Sequence, residues 1–156
     1  MSAKPLLSVV IPTYNYASVL PRAVESVLAQ LDESAELIVI DDGSTDDSQQ
    51  VLAHLLEQHA GRFRSVHKAN GGAASARNLG IDEAAGDFLI FLDADDELAP
   101  GALQAVQQHL QEQPQTRLVI GGHIAISADG KSRGHTPGVL PEPALERLRA
   151  YLLGKR

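Results

Sequence analysis

The chain has 156 residues, 44% of them hydrophobic, enough for one compact domain with a core of its own. It contains no cysteine, which excludes disulfides, thiolate metal sites and cysteine nucleophiles together and fits a reducing compartment, with the cytoplasm as the default expectation. The formal charge of −7 is local rather than general: Asp41, Asp42, Asp46, Asp47, Asp93, Asp95, Asp96 and Glu97 carry eight negative charges, and without them the rest of the chain would stand at +1. No stripe of Lys and Arg is present to neutralise a run of phosphates, which argues against nucleic acid as a partner.

Along the chain, short apolar runs alternate with longer segments of helical period, the pattern of a βαβ chain with a mainly parallel sheet. Runs such as "LIVI" at Leu37–Ile40 are too short for a membrane span or a signal-peptide core. A first strand is expected at Leu7–Ile11. Leu20, Val24, Val27, Leu28 and Leu31 then recur at steps of three and four, which marks the buried face of a helix. After the second strand, Leu37–Ile40, a helix follows Ser44, whose hydroxyl is placed to cap it with Asp47 in capping-box position, ahead of Val51, Leu52, Leu55 and Leu56. A third strand is expected at Arg64–His67, a third helix over Ala73–Ala85, a fourth strand at Phe88–Leu92, and a fourth helix from Pro100, a residue suited to the first helical turn. Leu118–Ile126 reads as a fifth strand. The turn formers of "SADGKSRGHTPGVLPEP" read as a long loop, and a last helix is expected from about Ala144. The chain stops at "AYLLGKR" with no helix-terminating residue beyond Gly154, as a fragment would.

In an open parallel sheet, ligands bind outside the carboxyl ends of the strands. Three polar motifs fall there: "PTYN" (Pro12–Asn15), "DDGSTDD" (Asp41–Asp47) and "DADDE" (Asp93–Glu97). Solvated loops would fall at both edges, so the coincidence marks a site. On an extended backbone Asp93 and Asp95 leave on the same side with Cα atoms about 7 Å apart, so that one carboxylate can take a divalent ion and the other a water or a ligand hydroxyl. Hard oxygen donors favour Mg²⁺ or Mn²⁺ over Zn²⁺, and such ions keep positions open for phosphate. The acidic edge is therefore read as half a site whose other half is a bound diphosphate. Neither acid cluster is an EF-hand loop: counted from Asp93, Leu98 stands where Gly is required and Gln104 where a bidentate Glu is required. The glycines of "NGGAASARNLG" (Asn70–Gly80) form neither dinucleotide nor ATPase phosphate loop. Arg77, among small residues on the third helix, is a candidate phosphate or carboxylate partner, with an ordinary surface arginine as the competing reading. No pair of histidines has metal-ligand spacing, and no G-x-S-x-G nucleophile motif occurs.

Taken together, "SVVIPTYNYASVLPRAVESVLAQ", "ELIVIDDGSTDDS" and "NGGAASARNLGIDEAAGDFLIFLDADDEL" resemble the nucleotide-binding half of family 2 glycosyltransferases. The resemblance covers about residues 6 to 110, with four motifs in order, and "DADD" matches the family's DxD motif. It implies an α/β, Rossmann-like GT-A nucleotide-diphospho-sugar transferase fold, a mainly parallel sheet flanked by helices and here truncated. Residues 1–156 would form one glycosyltransferase 2-like domain, with 6–110 the nucleotide-sugar-binding core and 111–156 the incomplete start of the acceptor side. The resemblance further implies a nucleotide-diphosphate-sugar donor, usually a uridine one, held with Mn²⁺ or Mg²⁺, and a saccharide or lipid-linked acceptor. By position, Pro12, Thr13, Tyr14 and Asn15 would line the base and ribose, and Asp42 or Asp41 would accept a hydrogen bond from the base. Arg77 would help to hold the donor. Asp93 would face the ribose or sugar, Asp95 would lead on the metal, and Asp96 is a second metal candidate. Any membrane association would come through the parent protein.

The departures from the family pattern bear on activity. Neither the "ED" pair that supplies a general base nor a Q-x-x-R-W segment occurs, and Glu142 and Glu146 match no such motif, so no catalytic base is assigned. The expectation is an inverting parent enzyme of which this chain holds the donor and metal half. Alternatives are a non-catalytic nucleotide-sugar-binding module and a sugar nucleotidyltransferase, although the latter would want a Gly-rich loop with Arg and Lys after the first strand. A receiver-type phosphoacceptor module would need a strand-end Lys, and none lies between Lys68 and Lys131.

Overall fold

A computed structural model describes residues 4–117, 119, 121–127 and 129–135. The chain divides into two compact units, Met1–Pro114 and Gln115–Arg156. In the first unit the elements run β1 (Leu7–Thr13), α1 (Leu20–Leu28), β2 (Ala35–Asp41), α2 (Ser48–Gln58), β3 (Arg64–His67), α3 (Ala73–Glu83), β4 (Phe88–Phe91) and α4 (Ala102–Glu112). The four strands form one sheet in the order β3-β2-β1-β4, every pair parallel. The expected α/β pattern is therefore present.

Strands β1 and β2 lie in the middle of the sheet and are buried on both faces, which is why Val9–Ile11 and Leu37–Ile40 read as continuous apolar runs rather than alternating ones. Alternation survives in where their side chains go. Leu7, Val9 and Ile11 of β1, with Leu37 and Val39 of β2, join a core shared with α1, α2 and α4. Val10, Ile38 and Ile40 point to the opposite face and meet Ala76 of α3. Helix α1 supplies Leu20, Ala23, Val24, Val27 and Leu28 from one face, as their spacing predicts, whereas Leu31, expected on the same face, lies beyond the helix end and packs half-buried against the core. On the α3 side, a Cβ on Gly80 would fall well inside van der Waals distance of Val10 Cγ1, so a glycine lets this helix lie close on the sheet.

Two helix starts differ from the sequence expectation. Helix α2 begins at Ser48, four residues after Ser44. Asp46 Oδ1 accepts from the Ser48 amide at 3.0 Å, while the Ser44 hydroxyl is used elsewhere. Helix α4 begins at Ala102, because the Ala102 amide donates to the Ala99 carbonyl at 3.0 Å and this turn holds Pro100 outside the helix.

In the second unit, the strand expected over Leu118–Ile126 is confined to β5 (His123–Ile126), which pairs antiparallel with β6 (Ser132–His135). The stretch expected to be a long loop thus contains a strand. Gly130, at φ 78°, turns the chain, and the Ser127 amide donates to the Lys131 carbonyl at 2.9 Å across the hairpin. The Asp-Gly dipeptide between two runs is a hairpin signal in its own right. The helix expected from Ala144 lies outside the described residues. Among the described residues no helix is long and apolar enough to cross a membrane.

Candidate functional site

The carboxyl ends of β1, β2 and β4 stand side by side at one edge of the first unit, and each runs directly into one of the three polar motifs. Pairing continues past the strands, with the Asp42 amide donating to the Thr13 carbonyl at 2.9 Å. Thr13 is 3% exposed and Pro12 half-buried, whereas Tyr14 is 43% exposed at the edge.

Asp41 and Asp42 are both nearly fully buried. Asp41 Oδ1 accepts from the Ser44 amide at 3.0 Å, and its Oδ2 lies 2.9 Å from His67 Nδ1, at the end of β3. Asp42 gathers the segment that enters α3. It accepts from Lys68 Nζ at 2.6 Å, from the Gly71 amide at 3.0 Å and from the Gly72 amide at 2.7 Å. Burial pushes the Asp42 carboxyl up. The Lys68 ammonium and the two glycine amides outweigh that effect and hold it below the usual carboxylate range. The same approach explains Gly43, which has φ 74° and whose Cβ would stand 2.7 Å from the Asn70 amide nitrogen. Any side chain there would push residues 68–70 off the end of β2.

Helix α3, placed by these contacts, carries Arg77 to the end of β4, where Arg77 Nη2 donates to Asp93 Oδ1 at 2.6 Å. Both partners are accessible to solvent, with side chains 36% and 56% exposed. Beyond β4 the chain does not keep the extended backbone expected for "DADD". The strand ends at Phe91, and the Asp96 amide donates to the Asp93 carbonyl at 3.0 Å, closing a turn over residues 93–96. Ala94, 3% exposed, anchors the turn in the core, which leaves Asp93, Asp95 and Asp96 exposed around it. Neither the Asp95 nor the Asp96 carboxylate has a hydrogen bond or ion pair among the described residues.

No group of three or more His, Cys, Asp or Glu side chains gathered as a metal cage occurs among the described residues. The donor set that is present, exposed carboxylates on one turn, nevertheless suits a hard ion of the Mg²⁺ or Mn²⁺ type, which is commonly held by one or two carboxylates together with substrate phosphates. Sequence reasoning missed the polar segment after β3. His67, Lys68, Gly71 and Gly72 organise the edge, and "HKANGG" sits at the same end of its strand as the other three motifs.

A parallel four-stranded sheet flanked by helices, with acidic turns at its carboxyl edge, makes the first unit an α/β domain of the GT-A kind. The chain belongs to glycosyl transferase family 2, whose profile matches residues 8–154. It is 43% identical over 105 residues to an uncharacterized glycosyltransferase of Nostoc sp., covering 67% of this chain and 33% of that protein. It is 38% identical over 119 residues to the glycosyltransferase GlyG of Streptococcus pneumoniae, covering 76% and 39%. The chain thus spans between a third and two fifths of the length of these relatives. Among solved structures it is similar to S. aureus TarS in complex with UDP-GlcNAc, with a TM-score of 0.61 and 26% identity over 69% of this chain and 32% of that one. It shares its fold with the mannosyltransferase PcManGT of Pyrobaculum calidifontis in complex with GDP-Man and Mn²⁺, with a TM-score of 0.64 and 24% identity over 77% and 35%.

Proposed function

We propose that this chain is the donor-binding half of a metal-dependent glycosyltransferase that moves a sugar from a UDP-sugar to an acceptor hydroxyl with inversion. The observation that carries the proposal is the edge itself: the exposed turn over residues 93–96, clasped by Arg77, and the buried Asp41 and Asp42 stand at the same carboxyl edge of the sheet, a half-site that suits a divalent ion and a diphosphate. The likeness to TarS, solved with UDP and with UDP-GlcNAc at 25% and 26% identity, supports a uridine donor.

In this reading Pro12, Thr13 and Tyr14 wall the base and ribose, and the exposed Tyr14 offers an apolar face to the base; Asn15, expected beside them, has its side-chain oxygen taken by Thr45 and Asp46. Either Asp41 or Asp42 accepts from the base; because Lys68 sits on Asp42, that route requires the ammonium to move aside. Asp93 turns to the ribose or sugar, which frees one edge of the Arg77 guanidinium for the diphosphate. Asp95 and Asp96 hold the divalent ion, Mn²⁺ or Mg²⁺. Bound there, the ion screens the carboxylates from the diphosphate and stabilises the leaving group. Residues 6–110 are the donor core and 111–156 begin the acceptor side. The acceptor is a saccharide or lipid-linked hydroxyl, the site of action cytoplasmic, and the catalytic base lies outside these motifs.

Calorimetric titration with UDP tests the proposal, first with Mn²⁺ and then with EDTA, using Asp95→Ala as the control. Metal-dependent binding, lost in the variant, is the expected result. A folded chain that binds neither UDP nor another nucleoside diphosphate under either condition would overturn the reading. Arg77→Ala is expected to weaken UDP about 10- to 100-fold, the loss of a charge-assisted contact, while leaving uridine binding unchanged. Equal losses for UDP and uridine would place Arg77 on the base instead.

A further inference from the structure

Asn15 is the one non-glycine residue among those described that has a left-handed backbone, with φ 60°. Asparagine tolerates that region better than most residues, but the conformation persists only where its surroundings hold it. Here they do. The Asn15 amide donates to the Ser44 hydroxyl at 3.0 Å. Its side-chain Oδ1 accepts from the Thr45 amide at 2.7 Å, and more distantly from the Thr45 hydroxyl and the Asp46 amide, each at 3.3 Å. A return contact runs from the Ala17 amide to Asp46 Oδ2 at 3.1 Å. Every one of these bonds joins the loop after β1 to the loop after β2.

We infer that Asn15 is a positioning residue: its Oδ1 stitches the two loops together and so sets the gap between the Pro12–Tyr14 wall and the Asp41–Asp42 pair. Three donors already occupy Oδ1, which leaves that atom no free direction for a ligand. The residue next to Asn15 on one side of the stitch is Tyr14, and two residues before Ser44 on the other side is Asp42. Loss of the stitch therefore loosens both walls of the base site without removing a group from either. The inference rests on the donor site proposed above.

Three variants separate the alternatives. Asn15→Gly keeps the left-handed backbone and loses the acceptor; Asn15→Ala loses both; Asn15→Asp keeps the acceptor and loses only the Nδ2 donor. Amide hydrogen exchange at Thr45 and Asp46 is read in each, together with affinity for UDP and for uridine, the latter because it carries no charge to be repelled by an added aspartate. Expected is fast exchange at both amides in Asn15→Gly and Asn15→Ala, with an affinity loss of at least about 10-fold that is equal for UDP and uridine. Expected too is near-normal exchange and uridine binding within about 3-fold in Asn15→Asp. Unchanged exchange in Asn15→Gly, or unchanged affinity in that variant when the wild type binds UDP, overturns the inference. So does an Asn15→Asp variant as impaired for uridine as Asn15→Ala, because that places a ligand contact on Nδ2. A wild type that binds no nucleotide sinks the donor site, while the exchange readout still decides whether the stitch exists.

Discussion

Replacing Asp42 with Ala is expected to destabilise the first unit by about 3 kcal/mol and to abolish nucleotide binding. Removing one partner of a buried ion pair costs several kcal/mol because the other charge is left uncompensated. Lys68, with a side chain 21% exposed, can turn part of its ammonium to water, which puts the cost at the lower end of that range. The Gly71 and Gly72 amides lose their acceptor at the same time, at the entrance to α3. Urea denaturation followed by circular dichroism reads the stability, and UDP calorimetry reads the binding. Asn at the same position keeps an acceptor for the amides and loses the charge, so about half of the loss is expected. Wild-type stability in Asp42→Ala would mean that the loop after β3 is held by something else.

The same residue sets an acid limb. Its carboxyl titrates lower in the folded chain than in the unfolded one, so the folded state binds fewer protons there. The stabilisation is complete above the ordinary aspartate pKa and is lost as pH falls through the lowered folded value. Stability should therefore decline from about pH 4 downward, and the decline should be shallower in Asp42→Asn. An identical acid limb in both proteins would assign it to other carboxylates.

Gly80→Ala is expected to cost about 1–3 kcal/mol, although Ala is the better helix former by about 1 kcal/mol. The added methyl meets Val10, which is 0% exposed and, being β-branched, has little freedom to turn away. Helix α3 must then lift from the sheet, and Arg77, three residues earlier on that helix, moves with it relative to Asp93. A fall in UDP affinity should accompany the loss of stability. Val10→Ala opens the space at a cost of its own, so the double variant should lose less stability and affinity than the two single losses added together, a coupling measurable by a double-mutant cycle. Additive effects would show that the two side chains do not compete for the same volume.

Much of this protein is legible in local pattern. The apolar runs of β1 and β2, the three-and-four spacing of Leu20 to Leu28, and the polar motifs at strand ends are all signals that act within a few residues. That is why α1, the parallel sheet and the placement of Pro12–Asn15, Asp41–Asp47 and Asp93–Glu97 at one edge can be read from the residues alone. Local pattern does not supply contacts between residues distant in sequence. Ser44 looks like a helix cap because its neighbours fit one, yet its hydroxyl serves the amide of Asn15, 29 residues earlier. Asp42 looks like a free ligand acceptor, yet it is saturated by Lys68, Gly71 and Gly72. The "DADD" run looks extended, yet burial of Ala94 and the turn from Asp93 to Asp96 set its three exposed carboxylates around a bend. Which residue types gather at the edge is thus dictated by the order of residues along the chain, because strand direction and side-chain period are local properties. Which of those groups hold the loops and which stay open to solvent is settled by tertiary contacts, because a buried polar group must find a partner wherever in the chain the fold brings one.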